Sequence, residues 1–171
     1  AILSKHPRVR EVLDAYLQRR LIQTIMTKSS VFGALTDDEK AELAERMTHR
    51  RCARDEVVMR EGQSGEEMYF IKTGSVALSS QHFTGSVKIA TLRPGEFFGE
   101  MALLSGKPRM ATAITTEETE LFCLTRTNAA KVLRGNRDIL VLLQSTMKER
   151  SKETRETLES YQEAQNTLSL V

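Results

Sequence analysis

The sequence has no tryptophan, three prolines and two cysteines, and its 25 Lys and Arg residues nearly cancel its 23 Asp and Glu residues. Each scarcity excludes something. A formal charge of +2 is too small to mark a binder of nucleic acid or of an anionic surface by bulk attraction, so any anion site has to be local. Cys52 and Cys123 stand far apart with no Cys-x-x-Cys spacing, which predicts reduced structural thiols and a cytoplasmic setting over a disulfide framework. His6, His49 and His82 are scattered singly, so no zinc or iron site is expected and a cupin-type metal enzyme is disfavoured. The longest aliphatic run, Ile139 to Leu143, is far short of the ~20 residues of a spanning helix, and no membrane span is expected. No basic-then-apolar leader follows Ala1. The chain therefore reads as a piece of a longer protein without a secretory signal.

What is present is ordinary globular material, 40% hydrophobic and 28% charged over 171 residues, enough for one compact domain with appendages. Val9, Val12, Leu13, Tyr16, Leu17, Leu21 and Ile25 recur at helical spacings, predicting one or two amphipathic helices over about 8–28. Thr36 and Glu39 form a capping box, and Leu43, Ala44 and Met47 continue a helix over about 37–48. From about 56 to 124 the period shortens to β-type runs: 57–59, 68–71, 75–78, 87–90 and 120–124. Gly62, Gly65, Gly74, Gly85 and Gly95 punctuate them. Short strands at such intervals predict an antiparallel β-roll, a jelly-roll-like barrel, because closure removes exposed sheet edges. Helix returns at Ala129, Val132 and Leu133, stops at Gly135-Asn136, and resumes at about Asp138. The expected fold class is thus α+β, with helices at both ends. The boundaries fall at 1–30 for N-terminal coupling helices, 31–150 for the central domain, and 151–171 for a polar tail that extends the last helix or frays.

The run Pro94 to Thr112, Pro-Gly-Glu-Phe-Phe-Gly-Glu-Met-Ala-Leu-Leu-Ser-Gly-Lys-Pro-Arg-Met-Ala-Thr, carries the chemistry. Glu100 to Leu104 supports about one helical turn before Gly106, and a helix that short adds little stability, so its position needs another reason. First-turn amides have no partner within a helix, and Gly99 lets a ligand reach them. Arg109, held after Pro108, adds a planar guanidinium suited to two phosphate oxygens. A carboxylate beside such a site repels phosphate, so Glu100 has to serve a hydroxyl donor next to it. The alternative, a structural Glu100–Arg109 salt bridge, is what an arbitrary pair at this spacing would form.

Phe-Gly-Glu-Met-Ala-Leu-Leu followed by Pro-Arg-Met-Ala-Thr resembles the phosphate-binding cassette of cyclic nucleotide-binding domains. Glu61 to Ile71 and Gly74-Ser75-Val76 resemble that family's early strands and turn, and the likeness spans roughly residues 31–150. The resemblance implies that Glu100 accepts the ribose 2′-hydroxyl and that Arg109 pairs with the cyclic phosphate. It also implies that backbone amides from Gly99 through Met101 to Ala102, and at Ala111, complete the cradle. At Met110 the family often carries a small residue or a hydroxyl linked to cGMP selection; methionine has no hydroxyl, which tilts the expectation to cAMP over cGMP. Thr112 closes the segment. Among relatives the likeness is to cytosolic domains of bacterial cyclic nucleotide-gated channels, in which an arginine at the position of Arg150 closes over the base. A hinge at Gly135-Asn136 would let Leu142, Leu143, Met147 and Arg150 swing toward the pocket as a lid.

No nucleophile–His–acid set can be assembled, so a binder and not an enzyme is expected. It takes no cofactor beyond its nucleotide ligand. His49-Arg50-Arg51-Cys52-Ala53-Arg54 lacks interleaved aromatics, so it is assigned to solvated surface and no nucleic-acid partner is expected. The resulting expectation is a regulatory module for an effector in the same or a partner chain, such as a channel or transporter, with homo-oligomerisation left open. The rival is the sensor half of a bacterial transcription regulator without its DNA-binding part.

Overall fold

A computed structural model describes residues 7–29, 31–82, 85–134 and 136–168, the side chains of 165–168 excepted. Helix α1 (Pro7–Lys28), a 3-10 turn (Phe32–Ala34) and helix α2 (Asp37–Glu45) precede the strands. These are β1 (Thr48–Cys52), β2 (Val57–Met59), β3 (Glu67–Thr73), β4 (Val76–His82), β5 (Gly85–Leu92), β6 (Phe97–Phe98), β7 (Thr112–Thr115) and β8 (Thr119–Thr125). Helix α3 (Glu100–Ser105) lies between β6 and β7, and helices α4 (Arg126–Leu133) and α5 (Arg137–Leu168) follow β8. Two four-stranded antiparallel sheets form, in the orders β1-β8-β3-β6 and β2-β7-β4-β5. The expected α+β β-roll is what the chain builds.

One core lies between the sheets, and the other lies between the first sheet and the helices. In β3 and β8, Tyr69, Ile71, Leu121 and Cys123 point into the first, while Met68, Phe70, Phe122 and Leu124 point into the second. A strand buried on both faces has no polar alternation, which is why these two segments are continuous apolar runs. Phe32 meets Phe70 and Phe97 edge-on, with centroids 5.0 and 5.3 Å apart, and so fixes the 3-10 turn against the sheet. Cys52 and Cys123 are free and buried in the first core, and burial pushes the Cys123 thiol up to about 11.

Several boundaries differ from the sequence reading. Residues 48–52, expected to end a helix and enter a solvated patch, are strand β1, paired along its length with β8. Its charged side chains suit an edge strand, where they deter pairing with another chain. Strands β6 and β7 were not expected, being two and four residues long. α1 is one helix, and its apolar residues change sides along it: Ile22, Ile25 and Met26 are buried against the domain, whereas Val9, Val12, Leu13, Tyr16 and Leu17 are exposed. Asn136, expected as a helix stop, instead starts α5, its Oδ1 accepting from the Ile139 amide at 3.2 Å. Gly135, the other half of the expected hinge, lies outside the described residues. The tail does not fray before Leu168, since α5 runs unbroken across residue 150.

The Thr36–Glu39 capping box forms as expected. The Thr36 hydroxyl accepts from the Glu39 amide at 3.3 Å, and the Glu39 carboxylate accepts from the Thr36 amide at 2.8 Å. Asn136 donates to the same carboxylate at 2.9 Å, so the box also joins α2 to the start of α5. That amide, and then the Thr36 amide, hold the Glu39 carboxyl below its usual range. Thr36→Ala should cost about 1 kcal/mol and lower the melting midpoint by roughly 2–4 °C. Thermal unfolding followed by circular dichroism measures this, and an unchanged midpoint would show that the cap contributes nothing.

Candidate functional site

The turn at Gly99 carries the chain from β6 into α3. Its φ of +85° is a left-handed value that favours glycine, and Gly106 closes the helix at φ +68°. The helix has six residues, and its first amides have no partner inside it. Arg126 secures the other end. Its Nη2 donates to the Ala102 carbonyl at 2.9 Å and the Gly65 carbonyl at 3.2 Å, while its Nε donates to Glu66 Oε2 at 2.9 Å.

Arg109 is held from both backbone and side chain. Its amide donates to Gln63 O and its carbonyl accepts from Gly62 N, each at 2.8 Å, so the 107–111 loop is laced to the 60–65 turn. The guanidinium donates through Nη1 to Gly99 O and through Nη2 to Glu67 O, both at 2.7 Å, and lies 5.8 Å over the Tyr69 ring. The residue is only 6% exposed. Two of its five N–H donors are thereby used on neutral carbonyls, and no carboxylate pairs with it among the described residues. Burial lowers its pKa, against the opposing fields of Tyr69, Glu67 and Glu100. A buried cation with carboxylates nearby but none in direct contact is a costly arrangement, and an anion brought beside it relieves the cost.

Glu100 does not form the simple salt bridge with Arg109. It is 1% exposed, and its Oε1 accepts from Arg150 Nη1 at 2.7 Å. The same Nη1 reaches Phe97 O at 3.0 Å, and the Arg150 guanidinium lies 4.5 Å over the Phe97 ring. Arg150 thus ties α5 to the start of α3 by charge, hydrogen bond and cation–π contact. Glu100 Oε2 has no hydrogen bond among the described residues and stays open to a hydroxyl donor.

Beside these groups is a cavity of about 300 Å³, within the range of small-molecule sites. Met59, Leu78, Ile89 and Leu92 give it an apolar wall. Gly99, Glu100, Met101, Ala102, Arg109, Met110, Ala111 and Arg150 all line it; Thr112 does not. The Thr112 hydroxyl instead accepts from the Glu61 amide at 3.1 Å, a structural contact. Of the side chains expected to swing in with α5, Leu143 is in the helical core at 1% exposure, and neither Leu142 nor Met147 lines the cavity. The helix contributes Arg150 and, one and two turns further on, Glu153, Thr154 and Thr157.

Sequence reasoning missed these three residues because they stand in a polar run that reads as a solvated tail. It also missed Gly65. A Cβ built there would lie 2.3 Å from Arg109 Nε and 2.8 Å from the Ala102 Cβ, so the guanidinium occupies the space a side chain would need. Glu67 was equally invisible, since it contributes a backbone carbonyl that any residue type could supply.

Comparison with known proteins gives this geometry a context. A model of the cyclic nucleotide-binding domain matches residues 49–136, about half the chain. The chain is 32% identical over 117 residues to a cAMP-dependent protein kinase regulatory subunit of Blastocladiella emersonii, covering 68% of this chain and 29% of that protein. It is 30% identical over 149 residues to the cyclic AMP receptor protein of Thermus thermophilus, covering 84% of this chain and 68% of that one. The crystal structure of the Thermus thermophilus catabolite activator protein superposes with a TM-score of 0.68 at 28% identity, over 78% of this chain and 63% of that chain. Against the kinase regulatory subunits, then, the chain spans about a quarter to a third of their length. Cassette, β-roll and family match agree, and the chain belongs to the cyclic nucleotide-binding domain family.

Proposed function

We propose that the cavity takes cAMP and that its occupation regulates an effector in the same or a partner chain, such as a channel or transporter, on the cytoplasmic side. The observation that carries this is the Arg109 guanidinium, buried with no carboxylate in direct contact among the described residues, beside the first amides of α3. Phosphate sits there; the ribose hydroxyl goes to Glu100 Oε2; the base lies against the apolar wall and under α5. Met110, 40% exposed at the cavity edge, offers no hydroxyl to a guanine amino group. The relatives named for cAMP support the same choice. A transcription regulator is the rival effector, supported by the likeness to the N-terminal domain of a Streptomyces coelicolor transcriptional regulator, with a TM-score of 0.63 at 26% identity.

Regulation requires that the nucleotide bind one arrangement of the helices better than another, since equal binding shifts nothing. The Arg150–Glu100 pair supplies such a dependence, because it links the ligand's ribose contact to α5. A second reading, cGMP, rests on Glu153. A carboxylate at the roof could accept from two guanine donors, N1–H and the 2-amino group, whereas adenine offers it only the 6-amino group.

Calorimetric titration decides between them. The parent should bind cAMP at least about tenfold more tightly than cGMP, a margin of one well-made hydrogen bond. The reverse order, abolished by Glu153→Ala, would establish the second reading. Titration also tests the ribose assignment: Glu100→Ala should weaken cAMP by at least about tenfold, for one charge-assisted bond of about 1.5 kcal/mol. The same substitution should barely change binding of 2′-deoxy-cAMP, which lacks the contact already. Equal losses for both nucleotides would remove Glu100 from the ribose site.

A further inference from the structure

Residues 7–17 of α1 are exposed all round the helix. The stretch extends the docked half of α1 and so needs no nucleus of its own; what sets it apart is that its large apolar side chains share one outward face. Taking about 100° per residue, Val9, Val12, Leu13, Tyr16 and Leu17 fall in a sector of roughly 140°. Ile22, Ile25 and Met26, which pack on the domain, fall on the opposite side. Downstream, on the same outward face, stand Arg20, Gln23, Thr24 and Thr27. The outward apolar face is therefore confined to the first three turns.

Charge frames it. Arg8 and Arg19 border one edge of the sector, Arg10 borders the other, and Arg20 closes its C-terminal end. The acids of this stretch, Glu11 and Asp14, lie on the far side. Arg10 and Asp14 pair only loosely, at 3.8 Å with both about two-thirds exposed, and Arg19 holds Glu45 at 2.9 Å. Arginines on both edges would repel one another across a twofold pair of such helices, which disfavours a second copy. The sector is also broader than the narrow seam of a two-helix coil. It fits a flat surface that is apolar below and anionic at its rim. Arginine stems can lie along the apolar layer with their heads at the charged level, and Tyr16 places an amphipathic ring mid-face.

We propose that the N-terminal half of α1 is a membrane-surface helix that lays this domain on an anionic bilayer, with Val9, Leu13, Tyr16 and Leu17 in the interface. It does not span; among the described residues no helix is long and apolar enough to do so.

The test is co-sedimentation of the whole chain with vesicles of phosphatidylcholine alone and of phosphatidylcholine with phosphatidylglycerol. Binding is expected to the anionic vesicles, with at least tenfold less to the neutral ones. Arg8→Glu with Arg10→Glu should cut anionic binding by roughly fivefold or more per arginine. Leu13→Glu with Leu17→Glu should abolish it. Both pairs are exposed, so nucleotide titration and circular dichroism should show an unchanged fold. Equal binding to both vesicle types, binding to neither, or full retention by the leucine variant would overturn the proposal. So would a concentration-dependent dimer that the leucine variant dissolves, which would make a second copy the occupant.

Discussion

Arg109→Ala is expected to raise the dissociation constant for cAMP by about 30- to 4,000-fold. Truncating one side of a buried charge pair costs about 2–5 kcal/mol, and about 1.4 kcal/mol is a factor of ten. The apo protein should change far less, because two effects oppose each other there. Removing the guanidinium leaves the Gly99 and Glu67 carbonyls without their donors, each worth about 1–3 kcal/mol if no water replaces it. It also relieves the desolvation that lowers the pKa of this residue. The two results are separable in one experiment: melting without nucleotide reports the fold, and the upward shift with nucleotide reports binding. Arg109→Lys should recover part of the affinity, since an ammonium keeps the charge and loses the fork. A variant without Arg109 that binds cAMP like the parent would mean that the phosphate sits elsewhere.

The contrast between what the sequence reveals here and what it conceals follows from how contacts are distributed along the chain. Strands β3 and β8 are legible because burial on both faces demands apolar residues at every position from 68 to 71 and from 121 to 124. Strand β1 is not, because its partner on one side only is β8, and Thr-His-Arg-Arg-Cys satisfies an edge with charges that look like surface. In α1 the helical period is clear, yet the apolar stripe changes sides after Leu17, and only packing shows which half meets the domain. The cradle is legible for another reason: Gly99 to Ala102 and Arg109 to Ala111 sit in one short segment, so their spacing survives in the sequence. The partners that aim Arg109 come from far away. Gly65 contributes empty space and Glu67 a carbonyl, and neither leaves a mark distinguishable from an ordinary turn and strand. The roof of the cavity is similarly hidden, because Glu153, Thr154 and Thr157 acquire their role only when α5 remains helical past residue 150 and passes over β5.

Gly65 gives the sharpest check on this account, because it carries no chemistry of its own. Gly65→Ala places a methyl group 2.3 Å from Nε and 2.4 Å from Cζ of Arg109 in the present geometry, more than an ångström inside normal contact. The backbone there is not in the left-handed region, so alanine can adopt its φ and ψ, and the cost lies in the side-chain contacts alone. The guanidinium has the most to move, and the Ala102 side chain, 2.8 Å from the new methyl group, has to give as well. If its displacement forfeits two charge-assisted hydrogen bonds to the phosphate, at about 1.5 kcal/mol each, the affinity falls on the order of 100-fold, and the apo melting midpoint, measured beside it, reports what the lost Gly99 and Glu67 contacts cost the fold. The ligand is never touched by the substituted residue. A double-mutant cycle isolates the cause: in an Arg109→Ala background, adding Gly65→Ala should cost little more, since the group it displaces has gone. Full additivity of the two losses would show that Gly65 acts through another element, the Ala102 side chain 2.8 Å from the same position being the nearest, and would detach the 60–65 turn from the phosphate site.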